Sequence, residues 1–258
     1  MSRDAIIIKT PHEIEIMRKA GAITAGARSV ARAAIADGLT TRQVNREVND
    51  FILKSHAIPT FKGYGGFPAA TCISINEEVI HGIPGRRVIH NGDIVSVDVG
   101  ATFGGFVGDC AGTYPCGEIS DQAKKLIEVT RGCFFEGMKY ARAGNRINDI
   151  GAAIQEYAES RGYGVVRDYV GHGVGREMHE APEVPNYAIK GMRPNPRLTA
   201  GMTIAIEPMI TCGGYGVHVL DNDWTVVTND GSLAAHYENT ILITDGEAEI
   251  LTMAENID

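Results

Sequence analysis

The chain repeats itself, and that repetition limits its possible folds more than any other feature. Gly38, Val44, Val48 and Phe51 recur as Gly144, Ile150, Ile154 and Tyr157, each pair 106 residues apart. Gly92-Asp93-Ile94-Val95-Ser96-Val97-Asp98 recurs as Gly201-Met202-Thr203-Ile204-Ala205-Ile206-Glu207 at an offset of 109. Self-similarity of this kind marks repeated structural units. It predicts two similar halves, roughly 10–115 and 116–251, related by a pseudo-two-fold axis within a single domain spanning 1–258. Asp98 and Glu207 then occupy equivalent strand positions.

Each half opens with helices and continues in strands. Thr10-Pro11-His12-Glu13 starts a helix, with a hydroxyl cap, proline at the first helical position and Glu three residues after the cap. Ile14, Met17, Ala20, Ile23 and Ala27 follow on one face. After Asp37-Gly38, Thr40 or Thr41 caps a second helix with Val44, Val48, Phe51 and Ile52 at amphipathic spacing. From Ile58 to Val99 the period shortens to two, broken by the glycine-rich run 63–68 and by Asn91-Gly92-Asp93. Helical spacing returns from Ser120 to about Tyr140 and from Arg146 to Arg161, Gly162 ends it, and strands resume from Val165. The fold class is therefore α+β, with the strands expected to form a mostly antiparallel sheet.

The 258 residues, 44% of them hydrophobic, suffice for one sizeable core. With 32 Asp+Glu against 24 Lys+Arg and no basic block, direct nucleic-acid binding is not expected. The run Met1-Ser2-Arg3-Asp4-Ala5-Ile6-Ile7-Ile8-Lys9 lacks the long apolar stretch and the small-residue cleavage site of a signal peptide. No segment approaches the ~18 apolar residues of a membrane span. Cys72, Cys110, Cys116, Cys133 and Cys212 are odd in number and lack Cys-x-x-Cys spacing, which reads as free thiols in a reducing compartment without structural zinc. A soluble, cytoplasmic protein with no membrane partner is expected, a monomer by default.

Four carboxylates interrupt strand-forming, apolar sequence. Asp98 shares a strand face with Ser96, opposite Val95 and Val97. If 102–105 forms a hairpin turn, Asp109 on the next strand lies directly opposite Asp98. Two like charges at that separation repel, so either one carries a proton or a cation lies between them. Glu207, followed by a proline that cannot continue a central ladder, and Glu238, at the head of another strand, enter similar surroundings. Taken singly, each also reads as an ordinary rim carboxylate. Gly171-His172-Gly173-Val174-Gly175 offers a nitrogen donor whose flanking glycines permit close backbone approach, although the same run also reads as a flexible turn. Two Asp, two Glu and one His make a mixed, mostly oxygen donor set suited to a pair of divalent ions such as Mn, Fe, Co or Zn. His81 and His179 sit in loops outside that set, and imidazole can polarise a carbonyl, steady an oxyanion or move a proton near neutral pH. Both also read as surface or loop-packing histidines.

In order and in local context, Asp98, Asp109, His172, Glu207 and Glu238 resemble the ligand pattern of the type I methionine aminopeptidases. The segments 72–77 and 81–84, the latter containing His81, are similar to that family too, and the resemblance runs from about Thr10 to Leu251. It implies the pita-bread fold, a curved antiparallel sheet covered by two helix pairs. It further implies that Asp109 and Glu238 bridge two metal ions, that Asp98 holds one, and that His172 and Glu207 hold the other. His81 and His179 are then expected to contact substrate or transition state, and Glu207 to shuttle a proton. Tyr64, Phe67, Cys72 and Trp224 match the methionine pocket of the family. The implied reaction is removal of the first methionine from nascent polypeptide N-termini near the ribosome, before a small second residue, by a metal-activated water.

The chain departs from the familiar bacterial pattern at Phe61, Phe67 and Met178, which bears on pocket detail. Only 31 positions separate Glu207 from Glu238, which leaves no space for the helical insertion of type II enzymes, and the short stretch before the first helix has no room for a zinc-binding extension. Two rival readings remain: a proline-specific aminopeptidase or dipeptidase of the same fold, and a non-catalytic binding module built on it.

Overall fold

The computed structural model describes residues 5–253; the first four residues of the run weighed as a signal peptide lie outside it. Four helices form two pairs, as the repeat requires: α1 (Pro11–Ala34) with α2 (Thr41–Lys54), and α3 (Asp121–Met138) with α4 (Ile147–Glu159). The first begins in a capping box in which the Thr10 side chain accepts from the Glu13 amide and the Glu13 carboxylate accepts from the Thr10 amide. At the second helix the cap is Thr40, not Thr41, and Gln43 closes the box. Ser120 caps α3 by accepting from the Ala123 amide.

Repeat mates do the same work in each half. Val44 and Val48 pack with Ile73, Val95, Val97 and Val99 beneath the first pair, while Ile150 and Ile154 pack with Leu126, Phe134, Ile204 and Ile206 beneath the second. All four repeat mates are fully buried, and Phe51 and Tyr157 lean on the edges of their respective clusters.

The principal sheet holds nine strands: β1 (Ile58–Pro59), β2 (Thr71–Ile75), β3 (Ile94–Phe103), β4 (Phe106–Pro115), β5 (Gly171–Gly173), β6 (Glu180–Val184), β7 (Thr203–Ile206), β8 (Glu238–Leu242) and β9 (Glu249–Ile250). The order is β1-β3-β4-β8-β7-β5-β6, with β2 also on β3 and β9 also on β8, and every pairing is antiparallel. The halves meet where β4 pairs with β8. Two smaller three-stranded sheets extend the structure. One carries Glu78–Ile80, which leads into His81, and the other carries Ala234–His236, which leads into β8.

The β3–β4 register corrects the sequence expectation. The strands pair to Phe103↔Phe106, leaving Gly104-Gly105 as a two-residue turn with both φ angles positive, 58° and 78°. Asp98 therefore faces Ala111, and Asp109 faces Gly100. The shift is two residues, so both aspartates keep the same face but stand diagonally rather than directly opposite.

Helix α1 lies so close to β4 that a Cβ at Gly108 falls 2.7 Å from Thr24 Oγ1 and 2.9 Å from the Gly21 backbone nitrogen. Because backbone cannot yield as a flexible side chain can, Gly108→Ala is expected to destabilise the protein by about 1–3 kcal/mol. Equilibrium urea unfolding checks this, and a midpoint equal to that of the parent would contradict the close approach.

Candidate metal centre

Sheet register brings the carboxylates together. Asp98 on β3 pairs with Ala111 on β4, which pairs with Glu238 on β8, so the two acids lie in one cross-strand row. Glu207 directly follows β7, and continuing the β7–β8 register places it opposite Glu238. Asp109 stands two residues from Ala111, on the same face. Inner strands thus contribute Asp109 and Glu238 and their outer neighbours contribute Asp98 and Glu207, a pseudo-two-fold arrangement.

Side chains of neighbouring elements fix this backbone. Thr71 donates to the Asp98 carbonyl at 2.6 Å, and Thr240 both accepts from the Asp109 amide at 3.0 Å and donates to its carbonyl at 2.9 Å. Arg28, buried on α1, donates through Nη1 to the carbonyls of Ala111 and Glu238 and to Asn239 Oδ1, each at 3.2 Å. Asn186 donates to the Glu207 carbonyl at 3.0 Å. His172 approaches from β5 with Nδ1 2.9 Å from the Gly173 carbonyl, and its Nε2 lies 3.5 Å from Glu207 and 3.6 Å from Asp109.

A donor set this dense in negative charge is costly without a cation. Burial raises the carboxyl of Asp98 to about 7, against an ordinary value of 3.8. Burial, followed by repulsion from the neighbouring acids, raises Asp109, Glu207 and Glu238 well above the usual carboxylate range. Burial, followed by repulsion from a neighbouring histidine, lowers His172 and His236 to about 3 and His81 to about 4. Burial moves His179 down as well. Neutral imidazoles are the form that binds metal.

The donor set passes a direct test of fit. Asp98 Oδ1, Asp109 Oδ1, Glu238 Oε1 and both ring nitrogens of His236 are buried without a hydrogen-bond partner. Among the described residues, two clusters present ligand atoms within 4.8 Å of one another: Asp98, His236 and Glu238, and Asp109, His172 and Glu238. Glu238 belongs to both, which suits a carboxylate shared between two cations. Glu207 joins neither cluster, although its oxygens approach His172 Nε2 and, at 3.9 Å, His236 Nε2.

Above this floor lies a cavity of about 180 Å³. All the residues singled out in the sequence line it: Asp98, Asp109, His172, Glu207 and Glu238, both histidines His81 and His179, and Tyr64, Phe67, Cys72 and Trp224. Phe67 meets the edge of Trp224 at 5.1 Å between ring centres, and the Tyr64 hydroxyl lies 2.7 Å from His179 Nδ1. Phe61 and Met178, noted only as departures, also face the cavity. Sequence reasoning missed Tyr169, whose ring meets His81 edge-on at 5.7 Å, and His236. For His236 a signal existed: it stands two residues before Glu238 in otherwise apolar strand sequence.

A buried carboxylate and imidazole cluster with overlapping cation positions, opening on an apolar cavity, defines a metalloenzyme of the hydrolytic type. The chain belongs to metallopeptidase family M24, whose model matches residues 15–245. It is 59% identical over 251 residues to a methionine aminopeptidase of Clostridium acetobutylicum, covering 97% of this chain and 100% of that protein. A crystal structure of methionine aminopeptidase from Thermotoga maritima superposes with a TM-score of 0.94 at 49% identity, covering 97% of this chain and 100% of that one. A prolidase from Pyrococcus furiosus superposes at 0.78 with 26% identity, and this chain spans 66% of it. The fold is thus the pita-bread fold shared across the family.

The raised acids carry a pH signature. A folded-state carboxyl raised from 3.8 to about 7 binds a proton that the unfolded chain has lost, so its contribution to stability falls as pH rises through that window. Below pH 6.5 the depressed histidines act in the opposite sense, because the unfolded chain then holds protons that the folded one lacks. Above 6.5 the carboxylates act alone. Chelator-treated protein is therefore expected to melt at lower temperature at pH 8 than at pH 6.5, and added Mn to raise the melting temperature more at pH 8. Thermal denaturation with and without Mn checks both, and an equal Mn effect at the two pH values would refute the account.

Proposed function

We propose that this chain is a methionine aminopeptidase, a metallo-exopeptidase that hydrolyses the bond after an N-terminal methionine when the second residue is small. One observation carries the reading. Five metal-ligand candidates, two neutral histidines and an apolar slot share one cavity, in a chain that matches a methionine aminopeptidase along that protein's whole length. The whole of 1–258 is taken as one metallopeptidase domain.

Two divalent ions, Co, Mn, Fe or Zn, are proposed as the cofactor, held by Asp98, Asp109, His172, Glu207 and Glu238 with Asp109 and Glu238 shared; when bound they supply Lewis acidity and a nucleophilic water at neutral pH. Tyr64, Phe67, Cys72 and Trp224 form the slot for the methionine side chain, and Phe61 and Met178 complete its apolar wall. Tyr64 also anchors His179 through Nδ1, leaving Nε2 for the scissile carbonyl oxygen. His81, held neutral by burial and braced by Tyr169, is placed to contact the substrate near the scissile amide. Glu207, its carboxyl raised well above the usual range by burial, would accept a proton from the attacking water and return it to the leaving amine.

Nascent polypeptide N-termini near the ribosome are the proposed substrates, and a cytoplasmic monomer the proposed working form. A proline-specific peptidase shares the fold, and the likeness to the prolidase is weaker in both identity and coverage. Four buried, mutually repelling acids without a catalytic use argue against a binding module.

Protein reconstituted separately with Mn, Fe, Co and Zn is expected to release methionine from Met-Ala-Ser and to leave Ala-Pro-Ala intact. Cleavage of only the second would transfer the chain to the proline-specific relatives, and cleavage of neither would favour the binding module. Asp98→Ala is expected to lose activity together with metal. His179→Ala should lose about 10²–10⁴-fold in kcat at unchanged metal content. Metal loss in parallel with activity in the latter would overturn its non-ligand role.

A further inference from the structure

His236 has no role in the reaction described above, yet it is the most deeply buried histidine among the described residues. It closes the short strand Ala234–His236, and its side chain is 2% exposed. Neither ring nitrogen has a hydrogen-bond partner. An imidazole carries one donor and one acceptor, and leaving both unmatched in a buried site is unfavourable unless something else engages them. Nε2 lies 3.8 Å from Glu238 Oε2 and 3.9 Å from Glu207 Oε2, too far for hydrogen bonds but suited to an atom placed between them. It also shares with Asp98 and Glu238 a cluster of ligand atoms within 4.8 Å of one another.

The backbone holds the residue in this place. The His236 amide donates to Thr113 Oγ1 at 2.9 Å, the same hydroxyl donates back to the His236 carbonyl at 2.9 Å, and Ser96 Oγ lies 2.8 Å from it. Ser96 is two residues from Asp98 on β3, and His236 two residues before Glu238. The Ser96–Thr113 pair therefore ties the histidine to the strand that carries Asp98.

Of the two ligand clusters, the one containing Asp109 already has an imidazole in His172. The one containing Asp98 has none other than His236. We propose that His236 is a sixth protein ligand of the metal centre, giving the ion at Asp98 its own imidazole. The two cation positions would then each combine one histidine with carboxylates and share Glu238. A nitrogen donor added to an otherwise all-oxygen position shifts its preference away from Mg and toward Mn, Fe, Co or Zn.

The inference rests on the two-ion reading, and the test separates the two. Chelator-stripped full-length protein and its His236→Gln variant are titrated with Mn by calorimetry. Pulsed EPR of the fully Mn-loaded proteins then counts the coordinated imidazole nitrogens. The parent is expected to bind two ions and show two imidazoles. His236→Gln should keep one step, weaken the other more than about 10-fold, and show one imidazole. Two ions with a single imidazole in the parent would overturn the ligand role whether or not the variant folds. An unchanged nitrogen count in a folded variant would do the same, even if affinity fell. Failure of the parent to bind any ion would overturn this inference together with the two-ion reading.

Discussion

Repulsion among four buried carboxylates is the constraint around which this molecule is organised. Asp98, Asp109 and Glu238 sit in strands and Glu207 directly follows one, and burial, joined at the last three by repulsion from neighbouring acids, makes each hold its proton more tightly than usual. A sheet tolerates this when register and hydroxyl tethers hold the backbone in place and protons, or a cation in their stead, offset the charge. The reciprocal Asp109–Thr240 bonds, the Thr71 contact to Asp98 and the Asn186 contact to Glu207 all fix backbone and leave the carboxylate oxygens to face the site. The helix pairs supply the rigidity behind the sheet, and the cavity supplies the chemistry in front of it.

The pseudo-two-fold axis explains why the site lies where it does. It falls at the β4–β8 junction, where the two halves hydrogen-bond to each other. Each half then needs to provide only one inner and one outer acid. The departures from symmetry are equally informative. His172 comes from a strand of the second half only, and the first half offers instead the loop after Glu78–Ile80, where His81 takes up a positive φ of 59°. Equivalent scaffolds have thus been furnished with different polar groups, which is what a site needs to hold a substrate in one orientation.

Much of this was legible in the sequence because the signals are local or periodic. Helix caps at Thr10 and Ser120, the spacing of Val44 and Val48 against Ile150 and Ile154, and acids placed among β-branched residues all survive in one dimension. The β3–β4 register did not, because it depends on whether Gly104-Gly105 alone makes the turn, and a window shifted by one residue at each step along the chain reads as plausibly. Nor did the company of His81 and His179, since Tyr169 and Tyr64 reach them from distant loops. His236 was overlooked for a different reason. A histidine beside a strand acid has many ordinary uses, and only its unpartnered ring nitrogens in three dimensions set it apart.

Arg28 gives the arrangement a temporal dimension. Its guanidinium cannot lose its proton, and it lies on the far side of the backbone from the acids, touching Ala111 of one half and Glu238 of the other. Its bonds to the Ala111 and Glu238 carbonyls bridge the two halves and pin them in register without any ion. The contacts that join the halves thus involve backbone and side chains alone. Metal scarcity would then idle the finished protein instead of aborting its construction.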